Sequence, residues 1–125
     1  MILIGVGNLG RAIASYTNFR NRGFYLIAAF DVREEIIGKR FNDLVIKPMH
    51  ELGSFLDENK VDIAVLTVPA SQAQEIANRL VEKGIKGIWN FAPIKLEVPE
   101  GVVVEHVHIS DSLYSLSFRL REKTT

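Results

Sequence analysis

The chain contains no cysteine. Disulfides, thiolate metal sites and cysteine nucleophiles go with it. An excess of either charge is also missing: 15 Lys and Arg stand against 15 Asp and Glu, leaving no formal net charge over 125 residues. A neutral domain lacks the basic footprint of a protein that grips a phosphate backbone by itself. No apolar run approaches the roughly 18 residues of a membrane span, and no basic stretch followed by a long apolar one opens the chain. Internal repeats, linkers and low-complexity tracts are absent too. The remaining composition, 47% hydrophobic and 24% charged, is that of an ordinary globular domain, long enough to bury a core of its own. A soluble, cytoplasmic, single-domain protein without a membrane partner is expected.

Strand and helix patterns alternate along the chain. Residues 2–6 and 24–30 ("FYLIAAF", closing at Asp31) are short apolar runs of the kind found in strands buried on both faces. Between them Leu9, Ala12, Ile13 and Tyr16 recur at helical spacing, predicting one helix to about Asn18. A weak turn at 33–37, a short strand at 43–46 and a modest helix over 49–58 follow. "DIAVLTV" (62–68) reads as the clearest strand. Pro69 then suits a helix start, Ala73, Ile76, Ala77, Leu80 and Val81 supply its apolar stripe, and Gly84 its stop. Strands are expected at 85–91 and 101–107, and Ser110 suits the cap of a last helix to about Glu122. Such βαβ alternation implies an α/β fold: one Rossmann-type parallel sheet with helices on both faces. Residues 1–108 form the nucleotide-binding body, and 109–125 a C-terminal helix of the same domain.

Within this frame "GVGNLGRAI" (5–13) places Gly5, Gly7 and Gly10 in the G-x-G-x-x-G spacing, between a strand and a helix. Gly5 permits the tight turn, Gly7 lets a pyrophosphate approach the backbone beside Asn8 and Leu9, and Gly10 lets helix pack closely on strand. The acid that should hold the adenine ribose is Asp31, 21 residues after Gly10, followed by Val32 and Arg33. Arg33, near this acid, is of a type that can accommodate a 2′-phosphate, but the carboxylate repels that phosphate, favouring NAD(H) over NADP(H); the other reading of Arg33 is a surface residue that stacks on adenine or is merely solvated. Arg11, a cation in the first helical turn, adds support for a bound phosphate. Thr67, Val68 and Pro69 of "TVPA", and Asn90, Phe91, Ala92 and Pro93 of "NFAP", fall at carboxyl ends of predicted strands, where open α/β sheets bind ligands. Both prolines also simply stop strands. Asn90 is either a ligand contact or a buried amide satisfied by its own loop.

Catalytic equipment is hard to find. His50 reads as a solvated helix residue. His106 and His108 alternate with Val107 and lack a third metal ligand. No proton relay or substrate domain is evident, so the chain is not expected to be an enzyme. Two other readings stay open: a cofactor-binding fragment of an NAD-dependent dehydrogenase, and a CoA-binding domain, against which Asp31 argues.

The stretches "GVGNLGRAIASY", "AAFD", "DIAVLTVPASQAQEIANRLVEKGIKGIWNFAP" and "LEVPEGVVVEHV" together resemble the cofactor domain of the Rex family of redox-sensing transcriptional repressors. The likeness spans essentially the whole chain. It implies a domain that binds NAD, NADH preferred, and responds to the NADH/NAD+ ratio. It also implies operator binding through a winged-helix domain that this sequence does not contain, so the chain alone is expected to sense and not to bind DNA. A homodimer built by exchange of the last helix is implied as well. That helix carries Ile109, Leu113, Leu116 and Leu120 at spacings 4, 3, 4, with Tyr114 and Phe118 as a second apolar edge. Such a helix covers either its own sheet or a second copy. Tyr16 matches a family tyrosine near the nicotinamide. His108 stands where the family has an aspartate, and an imidazole there is expected to disfavour the positive ring of NAD+, more so in acid.

Overall fold

The structure, a computed structural model, describes residues 1–16, 18–107 and 109–124, with the backbone alone for 18, 109–115 and 124. The expectation for His108, and the side chains of Ile109, Leu113 and Tyr114, lie outside the described residues. In chain order the elements are β1 (Ile2–Ile4), α1 (Asn8–Ala14), α2 (Asn18–Asn21), β2 (Ala28–Asp31), β3 (Arg40–Phe41), β4 (Leu44–Pro48), a 3-10 turn (Met49–Glu51), α3 (Leu52–Glu58), β5 (Ile63–Leu66), α4 (Ala70–Glu82), β6 (Gly87–Asn90), β7 (Val103–His106) and α5 (Ile109–Thr124).

The strands form one sheet in the order β3-β4-β2-β1-β5-β6-β7. Every pairing is parallel except the β3–β4 hairpin. The central strands are apolar because both faces are covered. Since side chains alternate along a strand, Ile2 and Ile4 join Phe30, Leu66 and the inner faces of α3 and α4 in one core cluster. Leu3 joins Ala29, Ile46 and Val65 in a second, against which Ile13 and Ala14 of α1 pack. The predicted α4 stripe is the buried one: Ala73, Ile76, Ala77 and Leu80 face the sheet. Gly84, at φ 92°, ends the connection where a side chain would be strained.

Three local expectations are corrected. The second strand begins at Ala28, not at Phe24, because the register pairs Ile2 with Ala28 and leaves the preceding residues as coil. Phe24, Tyr25 and Ile27 are therefore exposed. The first helix ends at Ala14, with a separate short helix after it. Its rotation also differs from the apolar spacing: Gly10, Ile13 and Ala14 face the sheet, while Leu9, Ala12 and Tyr16 are exposed. Gly10 sets that rotation, since a Cβ there would lie 2.2 Å from the Gly5 carbonyl oxygen. The third correction is an addition. A two-residue strand, β3, turns through Asn42 (φ 52°) into β4, and is too short to show a period in sequence.

On α5, Leu116, Phe118 and Leu120 are all more than half exposed. The chain's own sheet does not cover this part of the helix.

The contact at Gly10 has a direct consequence. Gly10→Ala must push α1 off the glycine turn, an overpacking cost of about 1–3 kcal/mol. Thermal and urea denaturation should show that loss; an unchanged midpoint contradicts the packing described.

Candidate functional site

Register brings the strand ends to one edge. Ile4 is level with Phe30 and Leu66, Leu66 with Asn90, and Asn90 with His106. The hydrogen-bond ladder continues one step past these residues: Gly5 N–H donates to Phe30 C=O, Thr67 N–H to Ile4 C=O, and Phe91 N–H to Leu66 C=O. The chain leaves β1 toward β2 on one side, whereas β5 lies on the other. That reversal opens a crevice beyond β1 and β5, the place where open α/β sheets take ligands.

A cleft of about 330 Å³ occupies the crevice. It collects Gly5, Gly7, Asp31, Val32, Arg33, Thr67, Val68 and Pro69, all singled out by sequence, with Ile4 as floor. Met49, Gln72 and Ile76 also line it and were not foreseen. Gln72 was within reach of sequence reasoning: it stands four residues before Ile76, on the inward face of α4, and is polar where the stripe is apolar.

Each glycine of the loop answers a different constraint. Gly5 has φ 97°, and a Cβ on it would sit 2.6 Å from the Thr67 carbonyl oxygen. Gly10 is closed off by Gly5, as above. Gly7 is the opposite case, because a Cβ there meets nothing within 4 Å. Its bareness serves no contact inside the protein and leaves room for an approaching ligand. α1 starts there without a side-chain cap or an acid in its first turn, so its leading N–H groups are offered to an outside acceptor. Thr67 braces the turn: its hydroxyl donates to Gly5 C=O at 2.6 Å.

Asp31 is nearly fully buried, at 6% exposure. Its Oδ2 accepts the Val6 N–H at 2.7 Å, and its Oδ1 accepts the Arg33 N–H at 2.9 Å. The Arg33 guanidinium reaches both carboxylate oxygens at 3.3 Å and donates to Val6 C=O at 2.8 Å. Burial pushes the Asp31 carboxyl up. The Arg33 side-chain bond, the two backbone N–H bonds and the Arg33 charge outweigh it, so the carboxyl is held below its ordinary value. Asp31 is thus the knot that fastens the end of β2 to the glycine turn.

Other expected site residues lie elsewhere. Asn8, Leu9 and Gly10 do not line the cleft. Tyr16 is half exposed and meets Phe19 edge-on at 4.7 Å, beside a separate depression of about 750 Å³ lined also by Phe24 and Tyr25. Arg11 lays its guanidinium over the Phe41 ring, 5.3 Å from the centroid, and is not among the cleft's lining residues. Its expected phosphate role has no geometric support here. Asn90 is fully buried, and its amide bonds Ala92 N–H, Ala92 C=O and Ile94 C=O. Of the two readings of this residue, the structure shows the loop-forming one. Asn90 shapes the loop carrying Phe91, Ala92 and Pro93, which leaves the same sheet edge beside the cleft. Phe91 packs on Trp89, Ala92 is buried and Pro93 exposed. His106 Nε2 accepts the Leu96 N–H at 3.0 Å and steadies the far end of that segment. No group of three metal-ligating side chains occurs among the described residues, nor is any described helix long and apolar enough to cross a membrane.

Parallel sheet, glycine turn, brace and buried acid define a class: a Rossmann-type domain with a nucleotide-binding type of loop at its switch point. Comparison narrows it. Residues 1–94 match the CoA binding domain family. A redox-sensing transcriptional repressor Rex of Caldicellulosiruptor saccharolyticus is 52% identical over 98% of this chain and 56% of its own length. The Rex of Clostridioides difficile is 47% identical over 97% of this chain and 58% of its own. RSP, a Rex-family repressor solved with β-NADH, superposes with a TM-score of 0.92 at 46% identity, covering 98% of this chain and 59% of RSP. RSP has also been solved with β-NAD+ and operator DNA. A UDP-D-quinovosamine 4-dehydrogenase of Vibrio fischeri, at 16% identity and TM-score 0.62, shares the fold alone. The chain belongs to the CoA binding domain family and, within it, is the counterpart of the cofactor domain of the Rex redox-sensing repressors. It spans a little over half the length of the curated relatives it matches.

The Asp31 knot makes stability depend on pH with a defined sign. A carboxyl held below its unfolded value stabilises the fold above that value, near pH ~4, and loses this contribution as pH falls through the folded value. Asp31→Asn should cost about 1–3 kcal/mol at neutral pH. The gap between wild type and variant should close as the solution is acidified toward pH ~2. Urea melts across that range check it; a gap independent of pH contradicts the knot.

Proposed function

We propose that this chain is the NAD(H)-binding, redox-sensing part of a Rex-type transcriptional repressor. The observation that carries the reading is the cleft at the switch point, lined by an unobstructed Gly7 that stands at the uncapped start of α1. Gly5, Gly7 and Gly10 shape a cradle in which the N–H groups about Asn8 and Leu9 take the pyrophosphate. The adenosine end lies against Asp31, Val32 and Arg33, and the backbone of Thr67, Val68 and Pro69 forms the opposite lip. The nicotinamide end runs along the sheet edge toward Asn90, Phe91, Ala92 and Pro93, with Tyr16 assigned to it on the family resemblance alone. The nicotinamide supplies a ring that is positive when oxidised and neutral when reduced. NADH is the preferred form.

This reading makes the domain a sensor and not a catalyst. The polar side chains of the cleft are Asp31, Arg33, Thr67 and Gln72, and Asp31 and Thr67 are engaged in holding the turn. None is placed as a proton relay. The repressor works in the cytoplasm as a homodimer through α5, whose exposed Leu116, Phe118 and Leu120 support a second copy as cover. Operator DNA is contacted by a winged-helix domain outside these residues. CoA is the second reading, favoured by the family match over 1–94.

Two measurements test this. NADH fluorescence should titrate to one cofactor per chain. Gly7→Ala should keep the fold and weaken binding by about tenfold or more, since its methyl group fills the space left for the pyrophosphate. No binding, or displacement of NADH by equimolar CoA, sinks the reading. For the dimer, light scattering should give twice the chain mass for residues 1–125 and the single mass after removal of 109–125. A monomer at full length contradicts the assigned role of α5.

A further inference from the structure

Four polar side chains line the switch-point cleft, and three of them are engaged in holding the protein together. Asp31 accepts the Val6 and Arg33 N–H groups, Arg33 returns to Asp31 and to Val6 C=O, and Thr67 braces Gly5. Gln72 is the fourth. Its side-chain amide bonds nothing among the described residues, and among these no buried side-chain nitrogen or oxygen goes without a partner. The amide is therefore open to the cleft it lines. Gln74, two residues on, shows the contrast of a structural glutamine. Its Nε2 donates to Asn78 Oδ1 at 2.9 Å and to Glu97 C=O at 2.8 Å, and its Oε1 accepts the Glu97 N–H at 2.8 Å. Gln72 does not cap its helix either. It is the third residue of α4, from which a glutamine side chain can reach back to the N–H of the residue before the helix. That residue is Pro69, which has no N–H to give. Four residues before the buried Ile76, the position would suit an apolar side chain.

The neighbours of the amide indicate its ligand. Val32, Met49, Val68 and Ile76 line the same cleft, and the last three belong to one core cluster. An aromatic base, apolar on its faces and polar at its edge, suits such walls with one amide among them. With the pyrophosphate at Gly7 and the ribose at Asp31, the adenine base falls beyond Asp31, among these residues. Its N6 amino group donates and its N7 accepts, and one glutamine amide answers both at once. We infer that Gln72 pairs with the edge of the adenine base and is the residue by which the cleft selects that base. The inference rests on the NAD(H) reading above and adds to it a specificity-determining side chain.

The test compares NADH with reduced nicotinamide hypoxanthine dinucleotide, in which a carbonyl oxygen replaces the N6 amino group and N7 is kept. Both are titrated by nicotinamide fluorescence against the full chain, as wild type, Gln72→Met and Gln72→Ala, with a thermal melt of each protein. Both substitutions keep a good helix former at this position and remove the amide. The wild type should bind NADH about three- to tenfold more tightly than the hypoxanthine analogue, the range of one neutral hydrogen bond. In either variant the two affinities should come within about twofold of each other, because the group that tells the bases apart is gone. A wild type that binds both ligands equally overturns the inference without recourse to a variant. So does a preference that persists in the variants, or a variant that weakens both ligands by the same factor; each of these leaves the NAD(H) reading standing. Failure of both ligands to bind the wild type overturns that reading as well.

Discussion

The Asp31 carboxylate accepts a hydrogen bond from the N–H of Val6, 25 residues away in sequence, and the shape of the glycine turn follows from that tie. Without it the buried Val6 N–H, between Gly5 and α1, loses its partner. With it, Val6 is held inward at zero exposure and Gly7 is left facing the crevice. Thr67 acts from the opposite side through its hydroxyl on Gly5 C=O. Two side chains from two neighbouring strands thus grip one turn. Because each is bonded to backbone, the turn does not depend on a ligand to hold its form, which lowers the ordering cost of binding one.

Topology explains why the grip can exist. Parallel strands in register deliver Gly5, Asp31, Thr67 and Phe91 to one edge, at the place where the strand order reverses. The two faces of the sheet are then free for packing. One is closed by α3 and α4. The other has α1 over its centre, and beside it an aromatic row of Tyr16, Phe19, Trp89 and Phe91 in edge-to-face contact. The chain's α5 leaves its own apolar residues in solvent over 116–120. In the proposed dimer, a second copy of the chain would cover this part of the helix.

Much of this was legible in the residues. The glycine spacing predicts both the turn and its location, because Gly5 and Gly10 are constrained by backbone geometry that only the local chain and one neighbouring strand impose. Asp31 was legible as the acid at the end of β2, and the α4 stripe as an inward face. What escaped depends on contacts between distant segments. Leu9 and Tyr16 fit a helical stripe with Ala12 and Ile13, yet the closeness of Gly10 to Gly5 turns α1 so that Leu9, Ala12 and Tyr16 are exposed. Phe24 to Ile27 look like strand because they are apolar, but the β1–β2 ladder runs only from Ala28 to Phe30, and ahead of it the backbone bonds of Tyr25 and Ile27 go to Met1, just before β1. Arg11 had the right position for a phosphate contact and instead lies on Phe41, whose hairpin strand is two residues long. Asn90 was ambiguous from sequence because an amide serves a loop or a ligand equally well. The loop's own N–H and C=O groups decide it.

Under the proposed function, the Gly5–Gly10 turn, fastened by Asp31 and Thr67, receives the cofactor. Amide chemical-shift mapping during addition of NADH tests it most directly. Large shifts should fall on Gly5 to Gly10, Val32, Arg33 and the Val68–Gln72 segment, while α3 and the Phe24–Ile27 coil stay still. Shifts concentrated around Phe19, Phe24 and Tyr25, with the glycine turn unmoved, would contradict it.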